Sequence, residues 1–242
     1  MDQSKNLLLL DFGAVISRTI FETHEHTERV LGLVPGSLDW LGPIDPTTDP
    51  LWTDMMENRI TERNYWEMRA REVGELVGEC GWVPSVLLRG ARKEMTADDI
   101  TRPEAVALVR AARTAGKTVG ILSNELELFF GKNWRKELPI FELMDGVVDA
   151  SDGGPMKPAP EAYARGLEAF NAQAEDAVFV DDQPRNVAGA EEVGVTAIQF
   201  DVADPEGSFR RAAEALDIVS LYDAMLTCAD DVDVQPRQSS NG

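Results

Sequence analysis

The chain has 242 residues, 43% of them hydrophobic, with 43 Asp plus Glu against 23 Lys plus Arg and a formal net charge of −20. That is enough apolar material for one large domain, or for a core with a smaller insert. An acidic surface repels nucleic-acid phosphates and anionic lipid, so neither is an expected partner. No apolar run approaches the roughly 20 residues of a membrane span. The run Leu7–Leu10 is too short and wrongly flanked for a signal peptide. Cys80 and Cys228 lie too far apart in sequence for a metal motif or a disulfide framework. A reducing, cytoplasmic setting is expected, and no pattern specifies an oligomeric state.

In chain order, Leu7–Leu10 is a continuous apolar run of the kind that forms a buried parallel strand. The next such run, Val119–Leu122, comes more than a hundred residues later, which is far too long for one crossover helix. The interval carries helix-spaced apolar residues, among them Trp52, Met55 and Met56, then Tyr65, Trp66 and Met68. Pro35, Gly36, Gly42, Pro43, Pro46 and Pro50 punctuate its middle. It reads as a mostly helical insert over 17–98, inside a core made of 1–16 and 99–228. Beyond it, helical patterns at Pro103–Ala115, Pro160–Phe170, Asn186–Val193 and Ser208–Leu216 alternate with strand runs at Val119–Leu122, Val147–Val148, Ala177–Val180 and Val195–Phe200. Strands alternating with helices predict an α/β fold: a Rossmann-like parallel sheet with helices on both faces, plus the helical insert. Ala229–Gly242 has few apolar residues and reads as a disordered tail.

Four short motifs end the predicted strands or precede the next one. Asp11 follows Leu7–Leu10 directly, and Gly13 follows two residues later, read as the residue that turns the chain sharply and brings its backbone near a ligand. Ser123-Asn124 ends the second strand, where hydroxyl and backbone N–H groups can hold a phosphate. Lys157 lies on a loop between glycines and prolines. Asp181-Asp182 ends the fourth strand; adjacent carboxylates there are costly without a cation, and magnesium typically uses one or two carboxylates plus substrate phosphate. Each motif alone has an ordinary structural use, as a turn, a helix cap or a solvated lysine. Together they all fall at carboxyl ends of parallel strands, where an open α/β sheet binds ligands.

In this combination the sequence resembles the haloacid dehalogenase-like hydrolase superfamily over about Leu7 to Phe200. The closest stretches are Val178-Phe179-Val180-Asp181-Asp182-Gln183-Pro184-Arg185-Asn186-Val187 and Lys157-Pro158-Ala159-Pro160-Glu161-Ala162-Tyr163. The insert is similar to the helical cap that some members carry after the first motif, and Met56-Glu57-Asn58-Arg59-Ile60-Thr61 up to Tyr65-Trp66 looks like a cap segment of the sugar-phosphatase-like branch. The resemblance implies a hydrolase acting on a small phosphorylated metabolite through an aspartyl-phosphate on Asp11. It implies Mg2+ held by Asp11, the Gly13 carbonyl and Asp182, with Asp181 acting mainly through a bound water. Ser123, Asn124 and Lys157 would bind the phosphate, with Asn186 in support.

The sequence departs from the family pattern at Gly13, where most phosphatases of the family carry a second Asp that protonates the leaving group. General acid–base help is worth about 10²–10⁴-fold, so without it the rate is expected to depend steeply on leaving-group acidity. His24 and His26 read as surface residues, although His24 is the first alternative source of an acid. A metal-free 2-haloacid dehalogenase, which also uses an Asp nucleophile, is the main competing reading. A non-catalytic binding protein on the same fold is another, and a mutase is weaker because it needs the missing Asp. The pair Asp181-Asp182 favours the phosphatase, because it has no good purpose without a cation.

Overall fold

The computed structural model describes residues 5–127 and 134–233. At its centre lie five parallel strands: β1 (Leu7–Leu10), β2 (Thr118–Ser123), β3 (Gly146–Asp149), β4 (Ala177–Asp181) and β5 (Thr196–Gln199), in the order β3-β2-β1-β4-β5. The insert holds α1 (His24–Leu31), α2 (Pro50–Met56), α3 (Glu62–Leu76) and α4 (Pro84–Ala91). The sheet is flanked by α5 (Pro103–Thr114), α6 (Pro160–Ala169), α7 (Pro184–Glu192), α8 (Pro205–Ala215) and α9 (Val219–Asp233). This is the α/β architecture expected from the alternation of strand and helix patterns. No helix among the described residues is long and apolar enough to cross a membrane.

Strand β1 is buried on both faces, which explains why it reads as an unbroken leucine run. Successive side chains alternate across a sheet. Leu8 and Leu10 join Leu108, Val109, Phe209 and Tyr222 in the core on one face, and Leu7 and Leu9 join Tyr163, Phe179 and Ala190 on the other. Each such burial is worth about 1.5–3 kcal/mol. Helices α5 to α8 all begin on proline, whose fixed φ suits the first helical position and whose missing N–H would be unpaired there anyway. For this reason α7 and α8 start earlier than apolar spacing alone places them.

The end of the chain differs from expectation. Helix α9 runs to Asp233, so 229–233, read from the sequence as disordered tail, are helical; 234–242 lie outside the described residues. Fully buried Tyr222 anchors α9 in the core cluster that includes α5.

The insert has an apolar cluster of its own, with Phe21, Trp40, Trp52, Tyr65, Val73 and Leu87 among its members. Its charged centre is Asp49, fully buried, which accepts from the Tyr65 hydroxyl at 2.7 Å, from the Arg69 guanidinium and from the backbone N–H of Trp52 at 2.9 Å. The two connections to the sheet run side by side. Ser17 and Thr101 form an antiparallel bridge, Arg18 N donates to Ile100 O at 2.8 Å, and Arg102 N donates to Ile16 O at 2.9 Å.

Candidate active site

The sheet order creates the site. From β1 the chain crosses to β2 on one side, and β4 returns to the other side of β1. Such a reversal opens a crevice at the carboxyl ends of the two central strands. Leu10 pairs with Val180, so Asp11 and Asp181 emerge side by side, and Asp11 N donates to Val180 O at 2.9 Å.

Lys157, only 2% exposed in its side chain, reaches into this crevice from the loop after β3. Its ammonium donates to Asp11 Oδ1 at 2.7 Å and to Asp181 Oδ2 at 2.6 Å. Two contacts fix the loop. Lys157 N donates to Asn124 Oδ1 at 2.7 Å, and Asn124 Nδ2 donates back to Lys157 O at 3.0 Å. Behind it, α7 packs so closely that a Cβ at Gly189 would sit 2.7 Å from the Pro158 carbonyl oxygen. Both ends of the Asn124 side-chain amide are thus committed to the Lys157 backbone. Asn124 positions the lysine.

Asp181 also meets Lys157. It is fully buried behind the lysine. Its oxygens accept from Lys157, from Gln183 N at 2.8 Å and from Asn186 Nδ2 at 3.0 and 3.1 Å. It thus anchors Lys157 from behind. Asn186 is held in turn by Tyr163, whose hydroxyl donates to its backbone carbonyl at 2.6 Å.

The remaining expected residues meet at one cavity of about 440 Å³. Asp11, Gly13, Ser123, Asn124, Lys157 and Asp182 all line it. Burial pushes the Asp11 carboxyl up to about 7; Lys157 opposes this and Asp181 adds to it. Asp182 is raised well above the usual carboxylate range, first by burial and then by Asp181, Asp11 and Glu62. Burial disfavours the Lys157 charge, yet Asp11 and Asp181 hold its ammonium above the ordinary lysine value. Asp11, Asp181, Asp182 and Glu62 thus cluster around Lys157 and Arg185, while Arg18, Arg63 and Arg92 line the wider cavity. Among the described residues no three His, Cys, Asp or Glu side chains converge as a closed metal site. An all-oxygen set of two carboxylates and a carbonyl suits a hard cation that keeps several waters.

Gly13 itself differs from expectation. Its φ is −64° with ψ 136°, which any residue adopts, and an added Cβ would lie 3.7 Å from Asp11 Oδ2. The sharp turn falls one residue later, at Ala14, with φ 62° and ψ −31°. Arg102 holds that turn: its Nε donates to Ala14 O at 2.9 Å while its fork grips Glu22 at 2.6 and 2.7 Å.

Neither histidine lines the cavity. His26 is on the surface, with Nε2 2.9 Å from Lys93 O. His24 is buried within the insert, its ring 4.5 Å from that of Trp40, and burial lowers its pKa to about 4. The sequence alone did not single out which residues of the insert line the cavity. Thr61, Glu62, Arg63 and Trp66, from the start of α3, line the same cavity, and Glu62 pairs with Arg185 at 3.1 Å. Thr61 marks a helix start by capping Asn64 N, but nothing local says that this end faces the sheet.

Known proteins resemble this chain in sequence and in fold. Phosphatase MT3486 from Mycobacterium tuberculosis (strain CDC 1551 / Oshkosh) is 30% identical over 99 residues, 41% of this chain and 46% of that protein. Acyl-CoA dehydrogenase family member 10 from Mus musculus is 26% identical over 153 residues, 62% of this chain and 14% of that protein. The chain spans less than half the length of either of these curated relatives. Among solved structures, the HAD-hydrolase YfnB from Bacillus subtilis, bound to magnesium, shares the fold with a TM-score of 0.64 at 16% identity, over 89% of this chain and 100% of that one. L-2-haloacid dehalogenases share it too, with TM-scores of 0.56 and 0.54. Residues 36–194 match the family model for haloacid dehalogenase-like hydrolases, and the chain belongs to that family.

Proposed function

We propose that the protein is a magnesium-dependent phosphomonoesterase acting on a small phosphorylated metabolite, with Asp11 as nucleophile. One observation carries the reading: the carboxylate of Asp11 is held by a buried lysine at a strand end and shares one cavity with a second carboxylate, Asp182. A haloalkanoate displacement has no use for Asp182, whereas a phosphoryl group arriving with a divalent cation does.

In this reading an Asp11 oxygen attacks phosphorus and the ester oxygen departs, giving an aspartyl-phosphate that water then hydrolyses. Lys157 orients Asp11 and places positive charge beside the phosphoryl oxygens, and the Ser123 hydroxyl donates to one of them. A magnesium ion held by Asp11, Asp182 and the Gly13 carbonyl supplies, when bound, positive charge against the phosphoryl oxygens. The helical insert acts as a cap over the site. Its walls at Ile20, Phe21, Trp52, Trp66 and Leu88 favour a substrate with an apolar or ring-shaped body. An exposed free thiol at Cys80 suits a reducing, cytoplasmic compartment.

The absence of an acid at position 13, together with an apolar cavity wall, is what favours the competing dehalogenase reading. A panel of phosphate esters with and without magnesium, run beside a halide-release assay on 2-haloacids, separates the two. Phosphate release that stops on chelation and in Asp182→Ala supports the proposal. Halide release that survives chelation overturns it.

A further inference from the structure

With glycine at position 13, the loop after β1 offers no acid to a departing oxygen. The carboxyls that line the cavity are Asp11, Asp182, Glu62 and Glu125. Asp11 and Asp182 already have tasks, and Glu125 is paired with Arg63. Glu62 differs from all three. It is the first residue of α3, so it belongs to the insert, yet Arg185, in the first turn of α7 just beyond the Asp181-Asp182 motif, ties it to the core. Its Oε2 accepts from Arg185 at 3.1 Å, which leaves Oε1 for a substrate oxygen. A third of its side chain, 34%, stays open. Its charge acts on Asp11 and Asp182.

We propose that Glu62 is the general acid and base of this site, supplied by the insert in place of the family's second aspartate. The inference rests on the phosphatase reading above. In the first half-reaction an Asp11 oxygen forms a bond to phosphorus as the phosphorus–ester oxygen bond breaks, and the departing oxygen takes its proton from the Glu62 carboxyl. The products are the alcohol, the aspartyl-phosphate and the Glu62 carboxylate. In the second, that carboxylate takes a proton from water as the water oxygen bonds to phosphorus and Asp11 departs. Phosphate, free Asp11 and protonated Glu62 result, so the cycle closes without a co-reactant. Arg185 sets the direction of the carboxyl. Asp181 at the end of β4 and Lys157 on the loop after β3 also act on it, as do Asp11 after β1 and Asp182 after β4, on which it acts in turn. Burial raises the Glu62 carboxyl above its ordinary range despite Arg185, which suits a group that must carry a proton near neutral pH.

The test is a series of substituted phenyl phosphates and one alkyl phosphate, each run in single turnover with magnesium. The logarithm of the rate is plotted against leaving-group pKa. Wild type should give a shallow line. Glu62→Gln keeps the shape and the contact with Arg185 but cannot donate the proton. Its line should be steep, with the alkyl ester slowed by about 10²–10⁴-fold and dinitrophenyl phosphate phosphorylating Asp11 almost normally. The aspartyl-phosphate should then persist, because its hydrolysis has lost the base. Glu62→Asp should recover part of the rate. Parallel lines for wild type and Glu62→Gln would overturn the assignment, because a merely structural loss slows every ester alike. A steep wild-type line would overturn it even if the variant failed to fold. No turnover of any phosphate by wild type would instead remove the phosphatase reading on which the assignment stands.

Discussion

Replacing Lys157 by methionine removes one ammonium from between two carboxyls and leaves the volume nearly unchanged. The lysine side chain is 2% exposed and that of Asp181 is 0% exposed. Breaking a buried pair by removing one partner typically costs about 3–5 kcal/mol. Asp181 keeps its bonds from Gln183 N and Asn186, which favours the lower part of that range. The cost should also depend on pH. The folded pKa of Asp11, about 7, lies above its ordinary 3.8, so the folded chain binds this proton more tightly than the unfolded chain. Stability from this group is full below about pH 4 and is lost as pH rises through 7. Without Lys157 the Asp11 carboxyl climbs further, and the loss extends to higher pH. Urea unfolding in chelator should therefore show Lys157→Met less stable than wild type by about 3–5 kcal/mol at pH 8. At pH 5, where Asp11 is neutral, the deficit should shrink by about a third to a half. A deficit under about 1 kcal/mol at pH 8, or one equal at both pH values, would refute the reasoning that Lys157 balances two buried charges.

Two further substitutions test the surroundings of the site. Ala14→Gly should stabilise the chain by about 1 kcal/mol, because relief of a strained φ of 62° exceeds the added freedom of glycine when unfolded; a lower urea midpoint with unchanged slope would contradict this. Asp49→Ala should cost about 3–5 kcal/mol, since it leaves Arg69 and the Tyr65 hydroxyl buried without their partner and uncaps α2; near-ultraviolet circular dichroism melts report it through Trp40 and Trp52, and a loss below about 1 kcal/mol would show that the site repacks at little cost.

The sheet and the positions of its motifs were legible because each strand is a short apolar run and each chemical residue stands at or just after a strand end. Asp11, Ser123 and Asp181-Asp182 are readable from that rule alone. The contacts of Asn124 and Asp181 with Lys157 were not, because they join residues 33 and 24 apart in sequence. Gly13 invited a turn assignment on residue type, whereas the strained turn falls on Ala14, a residue with no such signature. His24 looked exposed among the charged neighbours Glu25 and His26, yet it faces Trp40 in the core of the insert. Helix α9 was missed because Asp230, Asp231 and Asp233 gave its end the composition of a tail. Glu62 was invisible for a related reason. A charged residue at a helix start is commonplace, and only the packing of the insert against the sheet, through Arg185, gives it a place at the cavity.

The central claim is that Asp11 takes the phosphoryl group. It is tested most directly by mixing the magnesium-loaded protein with an aryl phosphate, quenching in acid within one turnover, and weighing the peptide that contains Asp11 by mass spectrometry. The account predicts a peptide heavier by one phosphoryl group, with fragmentation placing it on Asp11, and no such species in Asp11→Asn or after chelation. Phosphate release with an unmodified Asp11 peptide, or with the label on another residue, would contradict it.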